Sequence, residues 1–156
     1  VSELSHLDAA GAARMVDVSG KAESSRTAVA SGVVRTTPEV IGLISEGGLP
    51  KGDALATARI AGIMGAKRTP ELIPLCHPLA ISGVTVDFEL GEAEVRIVAT
   101  VKTTDRTGVE MEALTAVAVA GLTVHDMIKA VDPAATLDAV QLDRKEGGKR
   151  GVWTRD

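Results

Sequence analysis

The chain has 156 residues, with 17 Lys and Arg against 21 Asp and Glu and a formal net charge of −4. That length suits one domain with a real core. The mild acidity, the lack of tyrosine and the lone Phe88 and Trp153 exclude both the basic surface of a nucleic-acid binder and the aromatic platform of a single-strand binder. Charged or Gly residues interrupt each hydrophobic stretch, so no membrane span is expected. No basic-then-apolar signal pattern opens the sequence, and the single cysteine, Cys76, forbids an internal disulfide; both fit the reducing cytosol.

Residues 1–26 are polar and turn-rich and read as an irregular N-terminal arm. Residues 27–35 read as a first strand. Thr37-Pro38-Glu39 then opens a short helix, with Thr as cap, Pro in the first turn and Glu against the dipole, and Gly47-Gly48 closes it. A second helix is expected over 52–66, where Ala54, Ala58, Ala61 and Gly65 form a small-residue stripe. Thr69-Pro70-Glu71 repeats the start signal, and Pro74 and Pro78 force extended backbone around Cys76. Strict alternation predicts strands at 82–90 and 95–103, joined by a hairpin at 91–94.

A long helix follows over 108–131, with Leu114, Val117, Gly121, Val124, Ile128 and Val131 at helical spacing and a second apolar stripe beside them. A helix apolar over so much of its surface needs cover on more than one side, which points to packing against another subunit. Asp132-Pro133 stops it, 136–142 reads as a last strand, and 145–156 as a basic, Gly-rich tail. Strand, helices, strand, strand, helix, strand is the ferredoxin-like order: an α+β fold with an antiparallel sheet and helices packed on one face. Such a fold carries no function by itself.

Chemistry-bearing residues gather at five points. Lys51 stands just before the second helix, where helix N–H groups can also meet a phosphate, or where it is simply a solvated turn residue. Cys76 and His77 are adjacent in extended backbone, so their side chains diverge and a nucleophile–base dyad is not expected; His77 is the better proton donor or hydrogen bonder. Thr107 and Glu110 match a capping box, which gives Glu110 a structural explanation, whereas Glu112 falls on an apolar side of the long helix. Asp126 and Lys129 stand at i, i+3, either as a surface ion pair or as a buried carboxylate orienting a catalytic ammonium. Lys21, Arg26, Lys67, Arg68, Lys145, Lys149 and Arg150 form a basic set that could hold phosphates. Three widely spaced histidines make no metal-ligand motif.

Read together, several segments are specific: Ser-His-Leu-Asp (5–8), Met-Val-Asp-Val-Ser (15–19), Lys-Gly-Asp-Ala-Leu-Ala-Thr-Ala-Arg-Ile-Ala-Gly-Ile (51–63), Leu-Ile-Pro-Leu-Cys-His-Pro-Leu (72–79), Thr-Gly-Val-Glu-Met-Glu-Ala-Leu-Thr-Ala (107–116), Asp-Met-Ile-Lys-Ala-Val (126–131) and Gly-Gly-Lys-Arg-Gly (147–151). Over nearly its whole length the chain resembles the molybdenum cofactor biosynthesis protein C family, the cyclic pyranopterin monophosphate synthases. It differs in Ser24-Ser25, where the family often has Thr near the following Arg, and in His125, where an aromatic is common.

The resemblance implies conversion of 3′,8-cyclo-7,8-dihydroguanosine triphosphate to cyclic pyranopterin monophosphate with release of pyrophosphate, downstream of a radical enzyme. It implies no redox cofactor, with a divalent cation at most accompanying the triphosphate. It also implies a homohexamer, a trimer of dimers with sites at the dimer interface. Carried over by residue, Asp126 matches the active-site acid, Lys51 and Lys129 the essential lysines, and His77 joins them. Leu75, Cys76, His77, Met111 and Glu112 line the substrate site. Glu110 beside them, and Arg26, Lys67 and Lys145 from the basic set, complete the residues expected to hold the substrate. Two other readings are a non-catalytic ferredoxin-like interaction module, with Lys51, His77, Asp126 and Lys129 dispersed, and a cyclohydrolase-like enzyme, which would want a metal-bound water.

Overall fold

The computed structural model describes residues 6–156; residues 1–5 of the expected arm, Ser5 among them, lie outside that range. The elements are β1 (Ser24–Arg35), α1 (Pro38–Glu46), α2 (Ala54–Lys67), α3 (Thr69–Leu72), β2 (Ile81–Leu90), β3 (Glu94–Asp105), α4 (Glu110–Ile128), β4 (Thr136–Glu146) and β5 (Val152–Thr154). The sheet runs β2-β3-β1-β4-β5, and every neighbouring pair is antiparallel. The first four of these strands have the ferredoxin-like order. From residue 6 to 23 the chain holds turns, bends and one isolated bridge, Leu7 to Ala13, and β1 begins three residues earlier than expected.

Register explains the core. Val86, Ala99 and Ala30 lie side by side across three strands, as do Phe88, Ile97 and Gly32. All share one sheet face, because strand side chains alternate. Helices α2 and α4 cover that face, and the opposite face carries Asp87, Arg96 and Lys102, which are solvent-exposed or nearly so. Gly32 lets α4 approach: a Cβ there would stand 2.7 Å from Val117 Cγ1.

Local signals at α1 are realised. Thr37 accepts from Val40 N–H, Pro38 fills the first turn, and Gly47 turns left-handed at φ 70°. Helix α2 starts later than the sequence suggests. Asp53 caps it by accepting from Ala56 N–H, and Lys51-Gly52 stays outside. Its buried stripe is Ala54, Ala58, Gly62, Gly65 and Ala66. Gly62 replaces Ala61 in it, because a Cβ at Gly62 would stand 3.0 Å from Ala116 O and 3.2 Å from Ala120 Cβ. Thr69 does not cap α3; its hydroxyl donates back to the carbonyls of Gly65 and Ala66.

Three expectations are corrected. The capping box at α4 does not form: Val109 holds the cap position with no side-chain bond, and Glu110 turns to Lys145 instead, at 3.3 Å. Within one chain α2 covers a second side of α4, and Leu122 on that helix remains 62% exposed. The strand over 136–142 is longer than expected and is not the last, since β4 runs on to Glu146 and the basic tail returns as β5. Helix α4 is also long and apolar enough to cross a membrane by length and composition, contrary to expectation, yet its Val117, Val124 and Ile128 are fully buried in the core.

Candidate functional site

Two cavities adjoin at the start of α4. The larger, about 620 Å³, lies between the start of β1, the β4–β5 hairpin and the N-terminal turn of α4. Lys21, Arg26, Lys145, Lys149 and Arg150 line it against two carboxylates, Glu110 and Glu146, so its field favours an anion. Arg26 is anchored there by donating to the carbonyls of Asp105 and Arg106 at 3.2 and 3.3 Å. Lys145 reaches in from β4 and pairs with Glu110. The hairpin geometry depends on Gly147 and Gly148, at φ 100° and 75°, which lie close against Ser25 and Arg26.

The smaller cavity, about 430 Å³, is walled by Leu75, Cys76 and His77 from the loop before β2, by Met111 and Glu112 from α4, and by His6. Thr107, Gly108 and Glu110 line both cavities, so the two share a wall. His77 Nε2 contacts the carbonyl of Val16, while Cys76 Sγ approaches Glu112 Oε2 at 3.6 Å. The adjacent side chains thus have different partners, and no Cys76–His77 dyad forms. Glu112 is 1% exposed and its Oε1 is buried without a hydrogen-bond partner among the described residues. Burial pushes its carboxyl above the usual range, only partly offset by its own backbone N–H and the Cys76 thiol. Burial and then the charge of Glu112 push the Cys76 thiol up to about 11, which leaves it protonated and poorly nucleophilic.

At the opposite end of α4 stands a third group. Asp126 Oδ2 accepts from Lys51 Nζ at 2.9 Å, and Oδ1 pairs with Lys129 Nζ at 2.8 Å. The bonds from Lys129 and Lys51 hold the Asp126 carboxyl down at about 2. The sequence allowed a buried carboxylate here, but the three side chains are 46%, 49% and 52% exposed within one chain. Lys129 directly follows α4 in helical conformation and Lys51 precedes the α2 cap, so the packing of α2 on α4 brings them together.

The structure thus groups most of the expected residues, though in two places. Leu75, Cys76, His77, Met111, Glu110 and Glu112 meet at the start of α4, with Arg26 and Lys145 next door. Lys51, Asp126 and Lys129 meet at its end. Lys67, in the last turn of α2, is exposed and lines neither cavity. Sequence reasoning missed Trp153, which stands opposite Lys145 on β5 and lines the basic cavity. A Gly-Gly turn between residues 146 and 152 was the hairpin signal that could have found it.

The profile of the MoaC family matches residues 15–148. The chain belongs to the MoaC family. It is 66% identical over 153 residues to a protein of Mycobacterium tuberculosis named cyclic pyranopterin monophosphate synthase 2, covering 98% of this chain and 92% of that one. A cyclic pyranopterin monophosphate synthase of Streptomyces coelicolor is 66% identical over 152 residues, with 97% and 89% covered. One from Corynebacterium efficiens is 61% identical over 154 residues, with 99% of each covered.

Proposed function

We propose that the chain acts as a cyclic pyranopterin monophosphate synthase in molybdenum cofactor biosynthesis. It takes (8S)-3′,8-cyclo-7,8-dihydroguanosine 5′-triphosphate and releases cyclic pyranopterin monophosphate and pyrophosphate, by general acid–base catalysis in the cytoplasm. The observation that carries this reading is the adjacency of a cationic cavity to one that holds a buried acceptor, on a chain 66% identical to synthases so named.

The chemistry suits that division. Closing a cyclic phosphate forms a P–O bond at the α-phosphorus and breaks the α–β anhydride. The attacking hydroxyl must lose its proton, and pyrophosphate must leave as an anion. Arg26, Lys145 and their neighbours would neutralise the triphosphate and then the leaving pyrophosphate. Leu75, Met111 and Leu79 give the purine-derived ring apolar walls, and His77, Glu110 and Glu112 offer it polar contacts. Rearranging the ring needs proton transfers at several heteroatoms, and Lys51, Lys129 and Asp126 are a set of groups able to move them. A divalent cation would arrive on the triphosphate as part of the substrate.

Glu112 and Lys129 lie seventeen residues apart on one helical path, roughly 25 Å at about 1.5 Å per residue. Both serve one reacting centre only if they come from different chains. We therefore place each site at a dimer interface, within a homohexamer built as a trimer of dimers. A non-catalytic module predicts Lys51, His77, Asp126 and Lys129 dispersed and solvated; within one chain His77 stands apart and the other three are half exposed, but the clustering of Lys51, Asp126 and Lys129 supports the enzyme. The test is incubation of the purified oligomer with the cyclised nucleotide, following pterin by fluorescence after oxidation and pyrophosphate by a coupled assay. Stoichiometric appearance of both is expected; neither product from well-folded protein would sink the reading.

A further inference from the structure

Cys76 has a role that nucleophilic chemistry does not describe. Its thiol sits 3.6 Å from Glu112 Oε2. That carboxylate is 1% exposed in the first turns of α4, and Oε1 is buried with no partner among the described residues. A buried carboxylate oxygen without a donor is costly, and native structures tolerate it where a ligand supplies the missing hydrogen bond. The groups that line this cavity from the elements around it are few. Glu110 stands on the same helix, Cys76 and His77 on the loop before β2, and His6 in the N-terminal segment. No Lys or Arg lines it, and the thiol is the side-chain donor that bonds Glu112 there, beside the residue's own backbone N–H.

We infer that Cys76 is a positioning residue: its S–H donates to Glu112 Oε2, fixing the carboxylate so that Oε1 accepts an N–H from the bound ring. The Glu112 carboxylate, not the sulfur, then touches the ligand. A ring presenting N–H donors on one edge, as a guanine-derived or pterin ring does, completes the missing bond; an analogue with an acceptor at that position leaves two lone pairs opposed and is rejected. The inference rests on the proposed function for the identity of the ring, but not for the Cys76–Glu112 contact.

The geometry fixes a sign. A thiol donor favours the ionised form of Glu112, and only the ionised form accepts through both oxygens. Cys76→Ala removes the donor and should move the Glu112 titration to higher pH. Cys76→Ser keeps a donor of the same shape, and a hydroxyl donates more strongly than a thiol. The midpoint in that variant should stay at the wild-type position or fall below it.

Two measurements test this on the intact oligomer. Carbon-13 NMR of glutamate labelled at the carboxyl reports the Glu112 midpoint directly, assigned by the signal lost in Glu112→Gln. The pH profile of kcat/KM reports it through turnover. Cys76→Ala should raise the NMR midpoint and the acid limb together by about one pH unit, which is a tenfold loss of kcat/KM on the acid side. Cys76→Ser should restore both. An unmoved midpoint in Cys76→Ala, an equal rise in Cys76→Ser, or a substrate-derived adduct on Cys76 by intact mass would each overturn the inference. If wild-type protein makes no pterin, the functional reading fails by itself while the NMR midpoints still decide the contact.

Discussion

Mixing two inactive variants should restore activity if each site draws on two chains. Glu112 lies at the start of α4 and Lys129 just beyond its end, roughly 25 Å apart at the helical rise of about 1.5 Å per residue. Catalytic groups must come within hydrogen-bond reach of the reacting atoms, so one chain cannot bring both to one centre. Antiparallel packing of two such helices across a two-fold axis sets the Glu112 end of one beside the Lys129 end of its partner. Glu112→Ala and Lys129→Ala are each expected to be inactive alone. In a mixed dimer one site carries both lesions and the other carries neither. Random pairing after co-refolding an equal mixture therefore leaves about a quarter of all sites intact. The assay is pyrophosphate release at fixed total protein, with the hetero-oligomer verified by native mass spectrometry. Mixed oligomers as inactive as their parents would refute the division of the site between subunits.

Three further outcomes follow from the same geometry. Burial raises the Glu112 carboxyl above 4.5, so its contribution to stability is complete below that value and is lost as pH rises through the folded one. Glu112→Gln should accordingly raise Tm near neutral pH by roughly 2–4 °C, or about 1 kcal/mol. That gain should vanish at pH 4 and turnover should be abolished; a lower Tm than wild type at neutral pH contradicts the argument. Lys51→Ala and Lys129→Ala should each lose about a hundredfold or more in kcat while Tm holds within about 2 °C, because the ion pairs are half exposed. Arg at either position should not rescue turnover, since a guanidinium does not give up its proton, and near-normal product from either Ala variant removes that lysine from the mechanism. Gly147→Ala forces a Cβ at φ 100° onto Ser25 O, at a cost of about 1–3 kcal/mol. It should raise KM for the triphosphate more than it lowers kcat, and an unchanged KM would separate the β4–β5 hairpin from substrate binding.

Much of this protein could be read along the chain. The cap at Thr37, the stop at Gly47, the alternation of β2 and β3 and the periodicity of α4 are patterns of residues two to four apart, and local backbone geometry dictates them. The divergence of Cys76 from His77 and the pairing of Asp126 with Lys129 at i, i+3 belong to the same class. Local pattern misled at Thr107 and Glu110, where a capping box on paper gave way to an ion pair with Lys145, and at the basic tail, where a Gly-Gly hairpin went unread. Contacts between distant segments were decided elsewhere. Lys51 meets Asp126 across 75 positions, and Cys76 meets Glu112 across 36. Neither separation leaves a periodic trace. Both contacts exist because α2 and α4 lie together on one face of a sheet ordered β2-β3-β1-β4-β5. The burial that raises the Glu112 carboxyl likewise comes from that packing, since solvent exclusion depends on every neighbour at once and not on the residues beside it in sequence.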